Sequence, residues 1–387
     1  MNGPRLVLLG AIAALGSLAI QMLVPALPEV TTSLGASSED GQLLITVYLA
    51  VLAVGQLGWA PVADRVGRRP VILVGLLLFI AGTLACVMAE DLAFLLVGRV
   101  LQAAGASSSL VTARAMATDG GKAGTAAAPL AVLTSVTLIS PALAPVIGGV
   151  VVSLADWRML FWLLAALGLL GLLLAWRTLP ETLAERGQAI HPAAILRRYC
   201  AVALRGGFLP LALANMLASG GFYLFLAVSP FVLEEAGATP AWSGLFYSAV
   251  ASSIIVGTLL VPPIVRWRPE ALWPIGSGVM AAGAAALCLS ATAPDAIFGL
   301  LAAMSLVALG SGLSGPALLA QAIERQRGEA ASVASLFGTL QMGGAALLST
   351  LAVRVAPSPP AEIAMIGGLM LASVIVRQIG RQASPHT

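Results

Sequence analysis

The sequence is short of charge. Asp, Glu, Lys and Arg make up 10% of its 387 residues, against 59% hydrophobic residues and a mean hydropathy of +0.97. A soluble domain carries about twice that share of charge, so the composition excludes one. Histidine is almost missing: His191 and His386 both lie outside the apolar runs. That excludes a histidine metal site and a buried histidine proton relay. The cysteines Cys86, Cys200 and Cys288 are isolated, which excludes a disulfide framework or a cysteine-built metal site. Aromatic residues are 5% of the chain and are not interleaved with basic clusters, so there is no nucleic-acid surface. No Ser-His-Asp arrangement, phosphate-binding Gly loop or H-E-x-x-H is present. Those absences leave no basis for an enzyme or an ATP-driven pump, and no cofactor is expected.

What the sequence has in abundance is long apolar runs. Cutting them at charges and at Pro/Gly clusters gives twelve spans: 5–28, 40–62, 70–89, 92–116, 127–152, 157–178, 208–233, 241–265, 270–292, 295–322, 329–353 and 361–380. The N-terminal run continues for about twenty residues without a small-residue cleavage site, so it reads as a first span and not a signal peptide. The fold class is all-α polytopic membrane protein. Lys and Arg set its orientation: seventeen fall on one side, only Arg158 and Arg354 on the other, and Arg99 lies inside a span. The positive-inside rule then puts both termini in the cytoplasm. The longest polar interruption gives a domain plan of 1–178, a cytoplasmic linker 179–206, and 207–387, with six spans in each half. Two halves of this kind suit a transporter built from related repeats. In the linker, Arg197, Arg198 and Arg205 read either as a solvated segment held inside by charge or as contacts to anionic lipid.

The stretch QLGWAPVADRVGRRPVIL, residues 56–73, puts Asp64, Arg65, Gly67, Arg68, Arg69 and Pro70 into the break between the second and third spans. It is similar to the loop G-x-L-x-D-R-x-G-R-R of the major facilitator superfamily, with Ala60 for the first Gly. The fourth span, LLVGRVLQAAGASSSLVTARAMATD, resembles the exporters' R-x-x-Q-G pattern through Arg99 and Gln102. In the fifth, SPALAPVIGG resembles the antiporter signature G-P-x-x-G-G, keeping Pro145, Gly148 and Gly149. QMLVPALPEV in the first span resembles the bicyclomycin/chloramphenicol-resistance branch of the drug:proton antiporters. The resemblance implies a major facilitator fold in the bacterial inner membrane and proton-coupled export of small organic molecules: a drug, a siderophore or a metabolite. One departure bears on coupling. Where that branch has an Asp in the first span, this chain has Gln21, which does not titrate.

Arg99 is the one charge the sequence places within the hydrocarbon, at a cost of at least a few kcal/mol unless it is paired. Two readings stand: a cavity cation that binds substrate, or a structural Arg bonded to backbone carbonyls and Gln102. Gln21 lies at a similar depth, so the two are expected to share a cavity. Polar residues at helical spacing mark four candidate cavity faces. These are Ser17, Gln21 and Pro25 in the first span, Arg99, Gln102, Ala106 and Ser109 in the fourth, Asn215, Ser219 and Phe222 with Tyr223 in the seventh, and Phe337, Gln341 and Gly344 in the eleventh. Each face also reads as interhelical hydrogen bonding, the Ser and Gly positions above all. A cavity with one Arg and no carboxylate favours neutral or anionic substrates. Pro141 and Pro145 are expected to bend the fifth span. Asp64, Arg68 and Asp119 are expected to form a charge cluster that latches one state of the transport cycle. Protons are a possible second partner and membrane lipid a third. The alternative to export is a facilitator or importer on the same fold, and a non-transport membrane role is the third reading.

Overall fold

In the computed structural model of the chain, the residues described are 3–119, 127–183, 192–205, 207–290, 297–326, 329–356 and 358–382. Among them every regular element is a helix. The first half comprises α1 (Gly3–Gln21), α2 (Leu27–Ser33), α3 (Ser38–Val66), α4 (Arg68–Val87), α5 (Leu92–Thr118), α6 (Ala127–Leu154) and α7 (Arg158–Thr178). The second comprises α8 (Pro192–Leu204), α9 (Phe208–Glu235), α10 (Pro240–Trp267), α11 (Leu272–Ser290), α12 (Ile297–Glu324), α13 (Ala330–Val355) and α14 (Pro359–Gln382). Twelve helical stretches among the described residues are long and apolar enough to cross a membrane. Helices suit hydrocarbon because their backbone hydrogen bonds close within the segment.

Internal contacts divide the chain into two units, Met1–His191 with Thr239–Leu245, and Pro192–Ala238 with Phe246–Thr387. The division falls inside the segment 179–206. Leu179–Leu183 stays with the first unit, and α8 belongs to the second.

Polar residues at the span ends start the helices. Ser37 caps α3 in a reciprocal box: its hydroxyl accepts the Asp40 N–H (3.1 Å) and its own N–H donates to the Asp40 carboxylate (3.1 Å). Asp91 caps α5 by accepting the Phe94 N–H at 2.8 Å. Each acid also lies at the positive end of its helix dipole.

Two expectations change. The first span does not stop at Pro28 but continues through a 3-10 turn, Val24–Ala26, into α2, because Pro at the start of a helical turn forfeits no bond. Glu29, expected in an outer loop, therefore sits in α2. The break between the second and third spans is one residue long: Asp64 and Arg65 end α3, Arg68 opens α4, and Gly67 alone turns the chain with φ +118°. That φ is open to glycine and strained for other residues. The fifth span is α6, which runs through both Pro141 and Pro145 as the span 127–152 implies.

Candidate functional site

The first unit is tied together by Arg99. Its guanidinium lies among α1, α3 and α5 with no exposed surface. Nη1 donates to the Ala19 carbonyl (3.0 Å) and to Gln102 Oε1 (2.7 Å), and Nε reaches the Leu44 carbonyl at 3.4 Å. The cationic carbon stands 4.0 Å from the centroid of the Tyr48 ring. Nη2 is the one guanidinium nitrogen without a hydrogen-bond partner. Gln102 passes the network on, donating to Thr83 Oγ1 on α4 at 2.9 Å. A bare cation in hydrocarbon is costly, and this one is solvated by carbonyls, an amide and an aromatic face instead of water.

The other residues of that α5 face are enclosed too: Gln102, Ala106 and Ser109 are buried within the unit. Gln21 does not join Arg99. Its amide donates to Ser17 Oγ, one turn earlier on α1, at 3.0 Å. The helical spacing is as the sequence implies, but on α5 it points into packed protein.

At the far end of α3 and α5 a second cluster surrounds Gly67. Arg68 Nη1 pairs with Asp64 Oδ1 at 2.6 Å, and its Nε reaches Asp119 Oδ2 at 3.2 Å. Asp119 also accepts the Thr182 hydroxyl at 2.7 Å. Arg69 Nη2 donates to the Trp176 carbonyl at 2.7 Å. Arg65, by contrast, is exposed. The residue that sequence reading missed is Glu181. Its carboxylate accepts the N–H groups of Arg68 (3.0 Å) and Arg69 (3.2 Å) at the start of α4, and those of Thr182 (2.9 Å) and Leu183 (3.0 Å). A Cβ on residue 67 would stand 2.5 Å from Glu181 Oε2 and would push that carboxylate away, while the φ of +118° is what favours glycine there. The one available signal was an acid just beyond the end of the sixth span, and nothing in the sequence pairs it with residues over a hundred positions earlier.

Partial burial alone would raise the Glu181 carboxyl, but the backbone N–H groups of Leu183, Arg68, Arg69 and Thr182 outweigh it and hold the group below its ordinary value. A depressed carboxyl contributes stability that is complete above its unfolded value of about 4.5 and is lost as pH falls through the lower folded value. The protein is therefore expected to lose melting temperature on acidification below that range. Glu181→Gln is expected to flatten the dependence and cost about 1 kcal/mol, a figure discounted for the exposure of the site. Melting in detergent across pH 3 to 7 checks this.

In the second unit Asn215, Gln341 and Tyr223 are each half-buried. Asn215 Nδ2 has no hydrogen-bond partner, and Tyr223 packs edge-on against Phe222 with centroids 5.7 Å apart. Ser219 is buried beside them on α9. A second buried cation appears here that the sequence assigned to the cytoplasmic surface. Arg377 on α14 is 1% exposed and donates to Ser314 Oγ on α12. Residue 377 falls within the 361–380 span, yet its place near the end counts it among the seventeen basic residues of the cytoplasmic side. On α6, Pro145 is buried, and Gly148 and Gly149 leave no room for a side chain: a Cβ would strike the Met22 and Pro240 carbonyl oxygens respectively. Among the described residues no group of three or more His, Cys, Asp or Glu could hold a metal.

The profile of the Major Facilitator Superfamily matches residues 9–349. The chain belongs to that superfamily. This facilitator is 26% identical over 377 residues to the Chloramphenicol resistance protein of Pseudomonas aeruginosa, covering 95% of its own length and 88% of the relative's. It is 38% identical over 163 residues, 42% of either chain, to Multidrug resistance protein MdtL of Escherichia coli. Among solved structures it resembles a POT family transporter (TM-score 0.82, 13% identity, 98% of this chain and 96% of that one). It also resembles a D-xylose–proton symporter (TM-score 0.77, 15% identity, 96% and 95%). Those likenesses show the fold. The facilitator is thus a multi-pass membrane transporter and not an enzyme.

Proposed function

We propose that this facilitator exports small organic molecules, neutral or anionic, across the bacterial inner membrane by alternating access, with both termini in the cytoplasm. The observation that carries the export reading is the likeness, over 95% of the chain, to a chloramphenicol resistance protein. The charge preference rests on the enclosed guanidiniums of Arg99 and Arg377. The acids within the described spans, Glu29, Glu39, Asp40, Asp64, Glu234, Glu235, Glu324 and Glu362, all lie in the end turns. Such an interior has a positive potential that disfavours lipophilic cations. Arg99 acts through that field and through its hold on α1, α3 and α5, while Ser17, Gln21, Asn215, Gln341 and Tyr223 offer neutral donors and acceptors to substrate. The Asp64–Arg68–Asp119–Glu181 cluster and the Gly148–Gly149 packing on α6 set which conformation is favoured.

Proton coupling is part of this reading, and it requires a titrating group other than Gln21. That requirement favours a second reading, a facilitator that equilibrates its solute. Proteoliposomes with an imposed pH gradient separate the two, with radiolabelled chloramphenicol, a neutral molecule, as probe. A coupled exporter is expected to accumulate it severalfold and to lose the accumulation when an ionophore collapses the gradient. Equilibration to equal concentrations regardless of the gradient would establish the facilitator.

A further inference from the structure

Helix α8 carries apolar residues on two faces, and the second unit uses only one. On the docked face Val202, 2% exposed, joins Phe208, Leu211, Leu318, Ala322 and Phe337 in the core at that end of the unit. Polar contacts fix the same face. The Tyr199 hydroxyl donates to Ser335 Oγ (3.3 Å), Arg198 pairs with Glu329 (2.7 Å), and Gln326 Nε2 donates to the Val202 carbonyl (2.8 Å). The helix is therefore held in one rotation about its axis. Its other face presents Leu196, Cys200 and Leu204, four residues apart and so in one line. Leu196 is 64% exposed and Leu204 82%, and Cys200 is exposed between them.

Two observations say what covers this line. One is its level. Phe208 opens α9, Gln326 follows the end of α12 and Ser335 lies in the first turns of α13, so α8 is docked where spans terminate. A helix docked at the ends of membrane spans is within reach of the lipid headgroups. The other is charge. From Leu196 to Arg205 the chain carries Arg197, Arg198 and Arg205 and no acid, and Arg197 and Arg205 are exposed. An apolar line flanked by exposed arginines is the pattern of a helix lying in an anionic membrane surface.

We propose that the Leu196–Cys200–Leu204 line seats α8 in the bilayer surface, and that Arg197 and Arg205 hold the phosphates of anionic lipids beside it. Each arginine near an anionic surface contributes about fivefold to local lipid affinity. The consequence is that lipid composition bears directly on the segment joining the two units.

Cys200 makes the test direct. A Cys86→Ala, Cys288→Ala protein leaves it as the sole thiol. A nitroxide is attached there or, in a Cys200→Ala background, at Leu196→Cys or Leu204→Cys. The labelled proteins are placed in nanodiscs of phosphatidylcholine with or without phosphatidylglycerol. Accessibility is read with oxygen, which partitions into lipid, and with a water-soluble nickel chelate. Both leaflets of a nanodisc are alike, so the result does not depend on the orientation proposed above. Oxygen is expected to dominate at all three positions. Phosphatidylglycerol is expected to raise that dominance severalfold, and Arg197→Gln with Arg205→Gln to abolish the rise in protein that still folds. Dominance of the nickel chelate would place the line in water, and protection from both reagents would mean that protein covers it. Either outcome overturns the proposal, as does indifference to phosphatidylglycerol.

Discussion

Arg99→Ala is expected to destabilise the protein by roughly 3–5 kcal/mol, enough to shift its melting in detergent by many degrees. The loss has several sources. The carbonyls of Ala19 and Leu44 and the oxygen of Gln102 lose a donor in a region closed to solvent, and an acceptor left bare there, as Gln102 Oε1 is, costs about 1–3 kcal/mol. The Tyr48 face loses its cation, and the side-chain volume becomes a void among α1, α3 and α5. Arg99→Lys keeps the charge but not the planar fork that reaches α1, α3 and Gln102 at once, so it is expected to recover less than half of the loss. Scanning fluorimetry on equal amounts of folded protein reads both variants. An unchanged melting temperature with abolished transport would instead make Arg99 a direct ligand of the substrate.

Arg68→Ala is expected to cut transport by tenfold or more while lowering stability by only about 1–2 kcal/mol. Arg68 is the cation between Asp64 and Asp119, and its own N–H is held by Glu181. Removing it leaves two carboxylates facing each other beside a third, and like charges at such distances repel. The side chain of Arg68 is 11% exposed, so the pair is screened less than an ordinary surface bridge. Arg68→Lys keeps a charge without bridging both partners, and an intermediate rate is expected. Equal loss of rate and of folded protein would reduce the cluster to a structural staple. An unchanged rate would remove it from the transport cycle.

Much of the fold is legible in the sequence because hydrocarbon imposes a simple rule: about twenty apolar residues between charges make a span. Boundaries were harder where a helix continues past the signal that normally ends one. Pro25 and Pro28 lie where a turn tightens and the helix restarts. The site was legible by residue type and not by partner. Arg99 stands out as a charge in an apolar run, and its bonds to backbone carbonyls and Gln102 are those of one of its two readings, but which carbonyls it reaches leaves no trace in residue identity. Glu181 shows the same limit, since its partners are four backbone N–H groups. Arg377 was misplaced because the sequence shows nearness to a span end and not which way the side chain turns. Asp64, Arg68 and Asp119 were found together because opposite charges at three helix ends have few other partners.

The central claim is that this facilitator exports neutral and anionic molecules. Its most direct test is a growth-protection panel in a bacterium stripped of its own exporters, comparing the protein, its Arg68→Ala variant and an empty vector, with membrane levels matched by immunoblot. The account predicts protection against neutral and anionic compounds, weakened in the variant, and none against quaternary ammonium dyes. Protection confined to those cations, and equal in the variant, would contradict it.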